Sequence, residues 1–163
     1  MATREQFKIA AGRAIENVIK HGDTDIFPFA FESHSFFDKR SEILDLIVDY
    51  DEKFDEYLTR YPPNNVSSLT PVNYSRFRWA TQLDPIWNLY FLTCVILIGE
   101  LIEVQRIPIE SKTVFSYRYN YNDNNSDLFD RSVSWYEFIR ISEEHSKIFI
   151  LSWLAIYPSS IRD

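Results

Sequence analysis

Arg76, Arg78 and Arg118, with Trp79 and Tyr117 close by in sequence, are the residues of this chain best suited to gripping a polyanion. Guanidinium groups hold phosphates, and flat aromatic faces stack on bases whatever their identity. The same interleaving also occurs in ordinary interiors. There Arg78 pairs with Asp84 or caps a neighbouring helix, and Trp79 belongs to the core. Residue types alone leave both readings open. Other chemistry is harder to find. His21, His34 and His145 share no metal-ligand spacing. Asp49, Asp51, Glu52, Asp55 and Glu56 are scattered by helical spacing over a broad solvated face. The acids between Asp123 and Asp130 lack the glycine turn and closing glutamate of a calcium loop.

These residues must be positioned by a chain of 163 residues, a single-domain length able to build its own core. Thirteen Phe, ten Tyr and four Trp against three Gly argue for large buried contacts. The net charge of −7 is unfavourable for a free-standing nucleic-acid binder, but it is unevenly spread. Residues 1–60 hold eight Lys/Arg and thirteen Asp/Glu, giving −5, whereas residues 61–120 hold five and four, giving +1. Cys94 has no partner for a disulfide, which fits a reduced, cytoplasmic setting. The start lacks the apolar core of a signal peptide, and the apolar run Ile86–Ile98 is short for a membrane span and contains Asn88. It reads as a buried helix, with no membrane role.

Along the chain, Phe7, Ala11, Ala14, Ile15 and Val18 recur at helical spacing and predict an amphipathic helix over Thr3–Lys20, ended by His21-Gly22. Asp23–Glu32 is expected to be extended across an apolar surface, because Pro28 constrains its neighbours. A second helix is expected from about Asp38 to Tyr61, on the period of Ile43, Leu44, Ile47, Tyr50, Phe54, Tyr57 and Leu58, and Pro62-Pro63 stops it. Asn64–Tyr74 reads as a loop with a short extended piece around Thr70–Val72. Asp84-Pro85 is a strong helix opening, and the helix to about Gln105 is apolar nearly all round, which implies cover on most sides. Thr113–Tyr119 alternates as a strand does, Asn120–Ser126 reads as a polar loop, and a helix follows over about Ser132–Ser146, with Trp135, Phe138, Ile139 and Ile141 inward. The apolar run Lys147–Tyr157 has the look of a buried strand.

Four blocks in this order resemble bacterial reverse transcriptases related to group II intron and phage-defence enzymes. They are His21–Phe29, Phe77–Asn88, Arg106–Ile109 leading into Val114–Arg118, and Leu128-Phe129 followed by Trp135. The resemblance implies an α+β fold, mostly helical with a few short strands, similar to the fingers portion that holds template and incoming nucleotide. Residues 1–163 then form one domain that ends with the first palm strand at about 147–157. Intact relatives are implied to make DNA on an RNA template with Mg²⁺, some of them in antiviral defence.

Two-metal phosphoryl transfer needs clustered acidic oxygens. Matching Tyr157-Pro158 to the family's turn puts Ser152 where the first metal-binding Asp is expected, and the later paired-aspartate motif does not follow before Asp163. The expectation is a truncated piece, inactive alone, with no catalytic or metal-binding residues and no cofactor of its own. It would contact RNA or an RNA/DNA hybrid through Arg76, Arg78, Trp79, Tyr117 and Arg118. Its expected partner is a palm-bearing polymerase chain or a second copy. The alternative is a small helical protein-interaction module with no nucleic-acid role, motivated by an apolar strand near Ile148–Tyr157 with an unpaired edge.

Overall fold

Thr3 opens the first helix with a capping box: its hydroxyl accepts the Gln6 N–H, and the Gln6 side chain accepts the Thr3 N–H. In the computed structural model, which describes residues 2–22, 31–74, 76–111 and 117–156, this helix α1 runs Arg4–His21 and stops at Gly22, whose φ of 77° favours glycine. There follow α2 (Phe31–Asp38), α3 (Arg40–Glu52), α4 (Phe54–Arg60), β1 (Asn65–Asn73), β2 (Arg76–Leu83) and α5 (Pro85–Gln105). A 3₁₀ turn at Ile109–Ser111, β3 (Tyr119–Asn122), β4 (Asp127–Phe129) and α6 (Trp135–Ile156) complete the order. The fold is mixed α+β and mostly helical, with two separate antiparallel two-stranded sheets among the described residues, β1–β2 and β3–β4.

The core lies where α1 packs along α5, with α2 and α3 closing one side. Phe7, Ala11, Ala14, Ile15 and Val18, the predicted inner face of α1, are all buried, and Leu89, Thr93 and Ile96 meet them from α5. The Thr93 hydroxyl is satisfied within its own helix, donating to the Leu89 carbonyl at 2.7 Å. Gly99 allows β3 to approach: a Cβ there would stand 2.9 Å from three ring atoms of Tyr119. Polar ties fix the β3–β4 turn to the end of α1. The Asn17 amide donates to the Ser126 carbonyl at 2.7 Å, and His21 Nε2 lies 3.0 Å from the Asn125 carbonyl.

Several expectations are corrected. The long helix expected over Asp38–Tyr61 is two helices, α3 and α4, interrupted at Lys53, and Asp38 is the last residue of α2. The turn at Lys53 brings Tyr57 back over Tyr50, ring centroids 4.0 Å apart, and sets Phe54 against Trp87 and Tyr90. Asn64–Tyr74 is largely strand β1, because its Val, Leu and Thr residues find a partner strand just beyond Asn73. Of the strand expected over Thr113–Tyr119, residues 113–116 lie outside the described residues, Tyr117 and Arg118 precede β3, and Tyr119 opens it; the rest of β3 falls in the expected loop Asn120–Ser126. The extended path of Asp23–Glu32 also lies outside the described residues, except that Phe31 and Glu32 open α2.

The expected buried strand at 147–157 is not formed: α6 continues helically through Ile156. An apolar run fits either element, and no Gly or Pro separates this one from the preceding helix. Trp135 and Ile139, expected to face inward, are exposed, whereas Ile141 is buried. α5 was also expected to be covered on most sides. Phe91, Val95, Ile98, Leu101 and Ile102 are exposed, and by length and composition its 21 residues suffice to cross a membrane.

Candidate nucleic-acid interface

Asp84 builds the base of the β1–β2 hairpin and the start of α5 with one carboxylate. Oδ1 accepts the Trp87 N–H at 3.1 Å as the helix cap, and Oδ2 accepts the Asn64 N–H, also at 3.1 Å. The Asp84 N–H donates to the Asn64 carbonyl at 3.0 Å, and Trp87 Nε1 donates to the Tyr61 carbonyl at 2.8 Å. Around Trp87 the rings of Tyr50, Phe54 and Tyr90 stand edge-on. Burial raises the pKa of the Tyr50 hydroxyl above the ordinary tyrosine value, and that of the Tyr90 hydroxyl well above it. The hairpin is thereby rooted in an aromatic cluster at the N-terminal end of α5.

Beyond its root the hairpin stands clear of the body. Successive strand residues point to opposite faces, yet Arg76, Phe77, Arg78 and Trp79 are all exposed, Trp79 by 70%. Both faces of this end therefore meet solvent. Register sorts them: Leu69 pairs with Trp79 and Pro71 with Phe77, giving one apolar and aromatic face. Thr70 pairs with Arg78, and after a bulge Asn73 pairs with Arg76, placing the two arginines on the other. Long arginine stems reach round a strand edge, so a single strand lying along β2 can stack on Phe77 and Trp79 while its phosphates meet Arg76 and Arg78. Trp79 is thus exposed and not part of the core.

Tyr117 and Arg118 are not part of this surface. Arg118 is 3% exposed and held at the other end of α5. Its Nη1 donates to Glu103 Oε1 at 2.6 Å and its Nη2 to the Ile107 carbonyl. Glu103 also accepts from Arg106 at 3.0 Å and from the Tyr119 N–H at 3.0 Å. Burial works against the Glu103 carboxylate, but these bonds, that from Arg118 foremost, outweigh it and hold its pKa below the ordinary glutamate value. Asp84 and Glu103 are separated by about 28 Å of helix, so one patch built from all five predicted residues is ruled out for Arg118, a structural clamp. Tyr117 is exposed and lies against Phe129, ring centroids 5.5 Å apart.

Sequence reasoning missed Leu69 and Phe77 as members of the aromatic face, and Tyr74 as a fully exposed ring near the hairpin tip. The signal was present: β-branched and aromatic runs lie on both sides of Asn73–Ser75, the spacing of a hairpin. Among the described residues no group of three His, Cys, Asp or Glu is placed to hold a metal ion. No known protein family, curated protein or solved structure matches the chain.

Proposed function

We propose that this chain is a fingers-like module of a reverse transcriptase that contacts single-stranded RNA through the far end of the β1–β2 hairpin. The observation that carries this reading is the run Arg76–Trp79, exposed on both faces and split by register into a stacking face and a basic face. Sequence-tolerant binding of single strands combines those two elements, with about 1–3 kcal/mol from each stacked base. The ordered sequence blocks supply the family resemblance. The segment at 147–156, helical here, is not among its supports.

In this reading nucleotide joining belongs to a palm-bearing chain that supplies the carboxylates and Mg²⁺. The test is fluorescence anisotropy with a labelled single-stranded RNA at two salt concentrations. The expected result is binding that weakens with salt and falls at least tenfold in the Arg78→Ala/Trp79→Ala double variant. Equal affinity for the variant and the unaltered chain overturns the reading. Incorporation of nucleotides by this chain alone in a primer-extension assay with Mg²⁺ overturns the division of labour.

A second reading, a protein-interaction module, loses its original support, because the strand edge expected near Ile148–Tyr157 is helix. What favours it instead is the uncovered apolar side of α5.

A further inference from the structure

α5 carries Phe91, Val95, Ile98 and Ile102 in one exposed stripe, spaced by four, three and four residues. At 100° per residue these fall on the side of the helix away from the buried Leu89, Thr93 and Ile96. Such spacing is that of a coiled-coil seam. Leu101 of the same helix and Ile9 of α1, which line a groove beside the stripe, widen the apolar area. Six side chains of about 200 Å² each, roughly half exposed, present on the order of 600 Å², close to the ~800 Å² that each partner contributes to a standard interface.

We infer that this stripe is the interface of a homodimer, in which α5 of one copy crosses α5 of a second copy in antiparallel orientation. The sequence of the stripe is self-complementary about a point between Val95 and Ile98. Phe91 of one copy meets Ile102 of the other, and Val95 meets Ile98. One step further out at either end, Asn88 meets Gln105, two uncharged amides able to hydrogen-bond each other and fix the register. A chain of net charge −7 ordinarily repels its own copy, but α5 has only two charged residues, Glu100 and Glu103, and both lie away from the stripe. A lipid bilayer fits less well, because α1, packed along α5, carries Arg4, Glu5 and Lys8 exposed on its outer side.

Light scattering and sedimentation equilibrium on the full chain test this. The expected mass is twice 19.4 kDa, and Ile98→Glu raises the dimer dissociation constant at least about a hundredfold with an unchanged circular dichroism spectrum and melting temperature. Asn88→Lys with Gln105→Glu keeps the dimer, since the antiparallel pairing joins opposite charges. Asn88→Lys with Gln105→Lys weakens it. A monomer at 100 μM, a dimer unaffected by Ile98→Glu, or a monomer that binds phosphatidylcholine vesicles through this stripe each overturns the inference. The RNA-binding variants lie on the hairpin, so failure here leaves that reading untouched, and the reverse.

Discussion

The α1–α5 core and the β1–β2 hairpin are built from similarly apolar residues and put them to opposite use. In the core, Ile15, Ile47 and Leu89 are wholly buried, each contributing about 1.5–3 kcal/mol through burial. At the hairpin's far end Leu69, Phe77 and Trp79 are more than half exposed. An isolated two-stranded hairpin is marginally stable in water, so this one borrows its order from Asp84 and Trp87 at its root. The contrast teaches that burial, not residue type, separates the aromatics that build the body from those left outside it. Large rings left outside the body are available to a partner.

Breaking the core should have the largest effect. Leu89→Ala is expected to cost about 4 kcal/mol, read as a lower urea midpoint, because its site is fully enclosed. Next comes Glu103→Ala, which strands the buried Arg118 guanidinium and is expected to destabilise by about 3 kcal/mol. Asp84→Ala removes the cap of α5 and the Asn64 contact together, at about 1 kcal/mol. It should also speed amide exchange across residues 65–83, which links core to hairpin. Smallest of all is Trp79→Ala, whose urea midpoint should correspond to a stability within about 0.5 kcal/mol of the unaltered chain, as for an exposed side chain.

Acid offers a graded version of the same comparison. Glu103 and Asp127 both have lowered pKa values, Asp127 chiefly through its hydrogen bond from Arg131. A carboxylate of lowered folded-state pKa contributes stability that is fully present above its unfolded value, about 3.9 for Asp and 4.3 for Glu. That contribution is lost as pH falls through the folded-state values. Urea midpoints should therefore drop below about pH 4, and Glu103→Gln should flatten that dependence.

The chain announces its helices more clearly than its strands. Thr3 with Gln6, and Asp84 with Pro85, are local chemical signals that act over a single turn, and both helices begin where those residues place them. β1 depends on β2 for its hydrogen bonds, so Asn64–Tyr74 read alone resembles a loop. The run at 147–156 shows the converse limit, because uniform apolarity carries no period to separate helix from strand. In the candidate site, the placement of Arg76, Arg78 and Trp79 side by side is legible because one strand carries all three. That of Arg118 is not, because its burial is decided by Glu103, fifteen residues away, and by the Ile107 carbonyl.

Hydrogen–deuterium exchange of the full chain with and without a single-stranded RNA tests the central claim most directly. The account predicts added protection centred on residues 65–83, with α1 and the Glu103–Arg118 clamp unchanged. Protection centred on residues 117–122, or none at 65–83 under conditions where the RNA is bound, would contradict it.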